Sequence, residues 1–218
     1  MNDVRNTIGW ATYSWNPVTG CTRNCFYCYV KGLNKRFGYS QDPTFHEKRL
    51  LEPENAAKGS KIFVCSTGDL FGDGSLNEWV DQVLSVVNKY PNLTFQFLTK
   101  NPTRYDYFEF PKNAWLGTTI TGKEQNQGHL YARIAAKNKN IRFISFEPLM
   151  GMPEPIVKRW VDWIIIGAMT GPDRAMYKPK QEWIKGLLIQ ADKLKIPVYM
   201  KSNLKDAWSG RMRQEFPK

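Results

Sequence analysis

Acidic residues, histidine and cysteine are all in short supply: 218 residues carry 20 Asp and Glu against 31 Lys and Arg, with two His and four Cys. Four cysteines in a chain this long are too few for a disulfide scaffold. The two histidines, His46 and His129, have no partner at zinc-finger spacing. No apolar run approaches the roughly 18–20 residues needed to cross a bilayer. The longest, Val161 to Met169, is interrupted by Asp162 and Gly167. The opening residues, Met1-Asn2-Asp3-Val4-Arg5, hold no cationic region leading into an apolar stretch, so no secretory signal is read. A cytoplasmic protein without a membrane partner is expected. No Pro/Gly/Ser-rich linker and no internal repeat divides the chain. At roughly 150 residues per domain, a single domain over 1–218 is the expectation.

What is present builds a core. Hydrophobic residues make up 42% and charged residues 23%, which excludes a disordered tail or a low-complexity polymer. The net charge of +11 favours a polyanion, and nucleic acid is the candidate partner, against the plainer reading of a lysine-rich solvated surface. Aromatics reach 14%. Most belong to the core, but some are candidates for base stacking: Tyr105, Tyr107 and Phe108 near Lys100 and Arg104, and Trp208 between Lys205 and Arg211.

Apolar β-rich runs alternate with helical patterns. Strands are expected at Trp10–Thr12, Ile62–Ser66, Phe95–Thr99, Trp115–Ile120, Arg142–Glu147, Trp163–Gly167 and Val198–Lys201, nearly continuous as parallel strands covered on both faces should be. Helices are expected at Tyr27–Phe37, Leu76–Tyr90, Gln127–Lys137, Pro155–Trp160 and Gln181–Lys195. Ser75-Leu76-Asn77-Glu78 has the form of a capping box, Val80, Val83, Leu84 and Val87 follow at helical spacing, and Pro91 stops the run. Repeated alternation implies right-handed parallel crossovers. A closed eight-fold barrel takes about 250 residues. With about six units, the expected fold is an α/β one, a partial, open (β/α)6 TIM-like barrel. The tail over about 202–218 is a candidate to close it.

In such folds chemistry sits where strands end. Those ends carry Ser66-Thr67-Gly68-Asp69, Lys100, Thr118-Thr119, Ser145, Glu147, Thr170 and Lys201. Polar strand ends are common because loops are polar, but Glu147 continues the register of its strand and is read as functional.

The segment Gly20-Cys21-Thr22-Arg23-Asn24-Cys25-Phe26-Tyr27-Cys28-Tyr29 has C-x3-C-x2-C spacing directly after the first expected strand. A four-iron cubane normally takes one thiolate per iron, so three local cysteines would leave one iron open to an exchangeable ligand. Structural zinc, three unrelated buried thiols, and a fourth ligand from Cys65 are the competing readings. Cys65 closes a strand pattern and reads as a small core hydrophobe.

At these residues the chain resembles the radical S-adenosylmethionine (radical SAM) enzymes, whose signature is C-x3-C-x-aromatic-C after the first barrel strand, with Tyr27 at the aromatic position. Trp15-Asn16-Pro17, Ser66-Thr67-Gly68-Asp69, Phe97-Leu98-Thr99-Lys100, Trp115-Leu116-Gly117 and Ser145-Phe146-Glu147-Pro148 are similar to a compact phage-associated family of three-Cys-motif radical SAM proteins. Where many members carry Gly-Gly-Glu-Ser-Gly, this chain has Gly167-Ala168-Met169-Thr170-Gly171, without the carboxylate.

The resemblance implies that Cys21, Cys25 and Cys28 hold a [4Fe–4S] cluster whose open iron binds S-adenosylmethionine. One electron from a flavodoxin- or ferredoxin-like donor then cleaves the cofactor reductively, giving a 5′-deoxyadenosyl radical that takes hydrogen from a substrate. It implies that Tyr27 approaches the adenine, that Ser66, Thr67, Gly68 and Asp69 bind the amino group, and that Ser145 and Glu147 contact the ribose and methionine moiety. Lys100 and Lys201 are candidates to meet a carboxylate or a substrate phosphate. A nucleic acid substrate, modified or repaired, is the first expectation. A small molecule or protein side chain is the second, and a non-catalytic zinc-stabilised binding module is the reading from another class.

Overall fold

In the computed structural model, residues 1–124, 126–135 and 139–218 are described. The apolar runs lie side by side, because each strand is apolar toward both of its faces and must be covered twice. In chain order the strands and helices are β1 (Asn2–Asp3), β2 (Tyr13–Trp15), β3 (Val18–Thr19), α1 (Tyr29–Phe37), β4 (Thr44–Phe45), β5 (Lys61–Val64), α2 (Asn77–Lys89), β6 (Thr94–Thr99), β7 (Ala114–Thr119), α3 (Gln127–Ala135), β8 (Arg142–Phe146), β9 (Trp163–Ile166), α4 (Gln181–Leu194) and β10 (Val198–Met200). The main sheet has eight strands in the order β1-β2-β5-β6-β7-β8-β9-β10, with β3 and β4 forming a separate hairpin. Within the main sheet, the β1–β2 pairing is antiparallel and the other pairings are parallel. Strands from β2 to β10 follow one another in sequence order, so the sheet curls in one direction and stays open: a partial barrel of the radical SAM type.

Alternation along the strands makes two cores. Outward residues such as Ile62, Phe95, Leu116, Ile144 and Ile164 pack under Val80, Val83 and Val87 of α2 and Ile184 and Leu187 of α4. Inward residues Phe143, Trp163, Ile165 and Tyr199 pack on Trp10, with Phe63 and Trp115 against them. Trp10 therefore does not begin a strand. It belongs to the loop from Val4 to Thr12, which plugs the barrel and brings Gly9 against the Tyr199 hydroxyl, and the strand expected at Trp10–Thr12 starts three residues later at Tyr13.

Two crossovers dispense with an α-helix. Between β8 and β9 the expected helix Pro155–Trp160 shrinks to one 3-10 turn, Lys158–Trp160. Pro153 and Pro155 donate no amide, and the Ile156 amide is taken by Gln190 Oε1 of α4 at 2.8 Å. Between β6 and β7 stands a 3-10 segment, Pro102–Tyr107. α2 begins at Asn77 with Leu76 as its cap, so the expected capping box is not made, and the Ser75 hydroxyl is buried without a hydrogen-bond partner. The last residues of the expected helix Gln127–Lys137, at 136 and 137, lie outside the described residues. Among the described residues no helix is long and apolar enough to cross a membrane.

The tail lies along the edge of β10 that β9 leaves free. It runs antiparallel to β10 (Met200 N to Arg213 O, 2.7 Å; Glu215 N to Val198 O, 2.9 Å) and brings Phe216 to Trp163 and Tyr199 at the end of the barrel where strands begin.

Candidate active site

At the opposite end, where the parallel strands finish, a cavity of about 490 Å³ opens between the loops, and Cys21, Cys25, Cys28, Asp69, Ser145 and Glu147 all line it. The cysteine loop leaves the short hairpin at Gly20, whose backbone is left-handed (φ 82°) and where a Cβ would stand 2.2 Å from the Asp42 carbonyl oxygen. Gly20 also pairs with Gly68 on the loop after β5. A Cβ on Gly68 would meet the Gly20 carbonyl at 2.8 Å, so this contact of two backbones admits no side chain from either. Through it the cysteine loop and the Ser66–Asp69 loop become neighbours. Cys28 is the N-cap residue of α1, which places the third thiol at the positive end of a nine-residue helix.

The loop after β5 is organised by a residue that motif reading passed over. Asn16 is buried; its Oδ1 accepts from Ser66 Oγ and Thr67 N, both at 3.1 Å, and from Thr67 Oγ1 at 3.2 Å, while its Nδ2 donates to Ser14 Oγ at 3.1 Å. Asp69 is likewise buried, and its carboxylate accepts from Thr99 Oγ1 (2.7 Å), Phe71 N (3.1 Å) and Lys100 N (3.2 Å), tying the loops after β5 and β6 together. Tyr29, half exposed over its ring, turns its hydroxyl onto the Ser66 carbonyl at 2.5 Å. Burial pushes its pKa up to about 12, with the Glu147 carboxylate adding to the rise.

Glu147 and Lys201, leaving β8 and β10, form an ion pair at 2.5 Å across the end of β9. Gly167 lies between them, and a Cβ there would meet Glu147 Cδ at 3.0 Å and Lys201 Cδ at 3.1 Å. Ser145, fully buried on β8, has a hydroxyl with no hydrogen-bond partner. A buried orphan hydroxyl costs about 1–3 kcal/mol unless a ligand or water satisfies it.

Tyr27 lies under the Lys100 ammonium (5.6 Å to the ring centroid). Its pKa is raised, first by burial and then by its neighbour Cys25. Burial also raises Cys21 above the ordinary thiol value. Cys65, packed in the outer core, is pushed up to about 12 by burial. Of the expected stacking aromatics, Tyr105 and Phe108 are instead core residues: Tyr105 is fully buried and donates its hydroxyl to the Gly117 carbonyl at 2.8 Å. Trp208 packs on the core, whereas Tyr107 is exposed.

Among the described residues no three His, Cys, Asp or Glu side chains converge as a site for a single metal ion. A cubane asks for something different, one thiolate at each of three irons and hence thiols spread around a hollow. Cys21, Cys25 and Cys28 line such a hollow, with an unsatisfied hydroxyl beyond them. These residues fit a cluster with a further polar ligand beside it.

Fold and site together define a half-barrel protein whose cavity, holding three thiols and a few polar groups, lies at the carboxyl ends of its parallel strands. The chain belongs to the DUF5131 family, a protein family of unknown function, whose model matches residues 5–214. No curated protein matches it. Among solved structures it is similar in fold to spore photoproduct lyase. One cysteine variant of that protein aligns over 95% of this chain and 62% of its own at 13% identity, with a TM-score of 0.55. A variant with bound AdoMet and dinucleoside spore photoproduct aligns over 90% and 59% at 13% identity (TM-score 0.54), and a complex with dinucleoside spore photoproduct over 87% and 55% at 13% identity (TM-score 0.52). The chain therefore spans between 55% and 62% of the lyase chains, and the likeness is one of fold.

Proposed function

We propose that this protein is a radical SAM enzyme acting on nucleic acid. The observation that carries the reading is the shared cavity: three thiols spaced C-x3-C-x2-C on the loop after the first parallel strand face the same space as the unpartnered Ser145 hydroxyl and the Glu147–Lys201 pair. Cys21, Cys25 and Cys28 would hold a [4Fe–4S] cluster, with the N-terminus of α1 favouring its negative charge. When bound, the cluster supplies the one electron that opens the sulfonium C–S bond of S-adenosylmethionine and so delivers a carbon radical to a substrate C–H bond.

The chain's own part is to bind, orient and exclude water. Ser145 offers a hydroxyl and Glu147 a carboxylate, the short polar acceptors that ribose hydroxyls require. Lys201 holds Glu147 in one orientation. Asp69 has its position fixed by three donors, with acceptor capacity left for an ammonium on Oδ2. The inner plug of Trp10, Phe143 and Trp163 dries the floor below. Nucleic acid as the substrate class is supported by the net charge of +11 and by the fold-matched lyase, solved in complex with a dinucleoside photoproduct.

The test is anaerobic purification, iron and sulfide content, an electronic spectrum and S-adenosylmethionine cleavage with a chemical reductant. Brown protein with about four irons per chain is expected, and Cys25→Ala should lose both colour and cleavage. Colourless protein containing stoichiometric zinc would overturn the reading in favour of a binding module.

A further inference from the structure

From two residues that line the cavity, Lys100 and Tyr27, a ladder of side chains runs outward across the neighbouring loops. Lys100, on the loop after β6, places its ammonium 5.6 Å from the centre of the Tyr27 ring. Tyr27 meets Phe26 edge-on at 5.1 Å, Phe26 meets Tyr177 at 5.2 Å, and Tyr177 lies 5.2 Å below the Lys123 ammonium on the loop after β7. Cation, three rings and cation thus run in sequence across four loops that only the fold brings together. Phe26, between the cavity-lining residues Cys25 and Tyr27, is 54% exposed.

The charges of this ladder are sorted. Among the described residues two acids beside it are held by backbone amides: Glu124 accepts from Thr121 N at 2.8 Å and from Gly122 N at 3.0 Å, and Glu154 accepts from Gly128 N at 2.9 Å. Among the described residues Lys100 and Lys123 make no ion pair. What faces outward is an aromatic strip flanked by two cations, which suits a ligand with flat π-faces joined by regularly spaced negative charges. A duplex hides its base faces; a single strand offers them.

We propose that this ladder is a stacking platform for single-stranded nucleic acid, with bases on Phe26 and Tyr177 and phosphates on Lys100 and Lys123, so that the strand lies across the mouth of the cavity. The proposal deepens the nucleic acid reading above and rests on it for the purpose of the contact, but its test does not depend on catalysis. Anisotropy of a short fluorescein-labelled single-stranded DNA is measured with anaerobically purified protein, its Tyr177→Ala, Phe26→Ala and Lys123→Ala variants, and a salt series.

Each aromatic truncation is expected to weaken binding about tenfold. Lys123→Ala should flatten the slope of log K against log salt by about 0.7, as one fewer counterion is released. A duplex of the same sequence should bind more weakly. Tyr177 belongs to the loop after β9 and not to the cysteine loop, although its ring touches Phe26, so its variant reads the platform even if Phe26→Ala disturbs that loop. Unchanged affinity in Tyr177→Ala, or displacement of the strand by polyglutamate as effectively as by unlabelled DNA, would overturn the platform and point to an acidic protein or unspecific charge. Brown, cleavage-competent protein that ignores DNA overturns the platform and leaves the radical reading standing. Colourless protein that binds single strands through Tyr177 does the reverse.

Discussion

Glu147 ends a buried strand, and what keeps its carboxylate in place comes from two other strands: Lys201 from β10 as its partner, and Gly167 from β9 as the gap through which they meet. With side chains 22% and 13% exposed, neither charge is well solvated alone. Lys201→Met should therefore destabilise the fold by about 1–3 kcal/mol in urea titrations, and Glu147→Gln in the same chain should recover part of that loss. Strict additivity of the two substitutions would show that the pair does not interact. Gly167→Ala should separate the pair without removing either member, and a sharp loss of S-adenosylmethionine retention in anaerobic equilibrium dialysis is expected. Glu147 was legible in the sequence because strand register carried it into the site. Lys201 was read as a candidate to meet a cofactor carboxylate or a substrate phosphate, and its pairing with Glu147 escaped because a partner 54 residues away leaves no local pattern. Asn16 was hidden for another reason: within Trp15-Asn16-Pro17 a polar residue before proline looks like turn chemistry, and its four hydrogen bonds appear only when the loop after β5 folds back on it.

Among the elements, those whose pattern is set by covering two faces were read well, and those set by tertiary satisfaction of single groups were not. Strands β5 to β10 fall within two residues of their expected limits, because alternating inner and outer cores demand apolar residues at most positions. The start of α2 shows the opposite case. Ser75 and Glu78 have capping-box spacing, yet Arg104 reaches in to bind the Gly72 and Ser75 carbonyls, both at 2.9 Å, and the Ser75 hydroxyl is left buried and unpaired. A working N-cap would cost about 1 kcal/mol on replacement by alanine. Ser75→Ala is instead expected to be neutral or slightly stabilising, because an unsatisfied hydroxyl leaves the interior. Val83→Ala, on the fully buried face of the same helix, should cost about 1.5–3 kcal/mol. Thermal or urea melts of the two variants separate the accounts: a loss near 1 kcal/mol for Ser75→Ala would restore the capping box.

Across the whole molecule, chemistry and closure occupy opposite ends of the strands. Phe216 plugs the far end, 5.3 Å from the Trp163 ring and 4.4 Å below the Lys61 ammonium, and the Trp163 indole donates to the Glu215 carbonyl at 2.8 Å. Phe216→Ala should cost about 1–3 kcal/mol and shift tryptophan emission to the red, with the cluster spectrum intact. The tail is also held by Glu215, whose carboxyl is kept below the usual carboxylate range by hydrogen bonds from Arg213, burial opposing the shift and the Val198 amide reinforcing it. A carboxyl with a depressed folded pKa contributes stability above its ordinary value, near 4.3, and loses it as pH falls through the lower folded value. Glu215 is 44% exposed, so solvent screening keeps that contribution within about 1 kcal/mol. The stability difference between the protein and Glu215→Gln should therefore be measurable at neutral pH and vanish in acid below the folded pKa. Hydrogen exchange at the Met200 amide, which is bonded to Arg213, should accelerate relative to the strand interior over the same range. A difference that persists at low pH would mean that the Phe216 plug alone holds the tail.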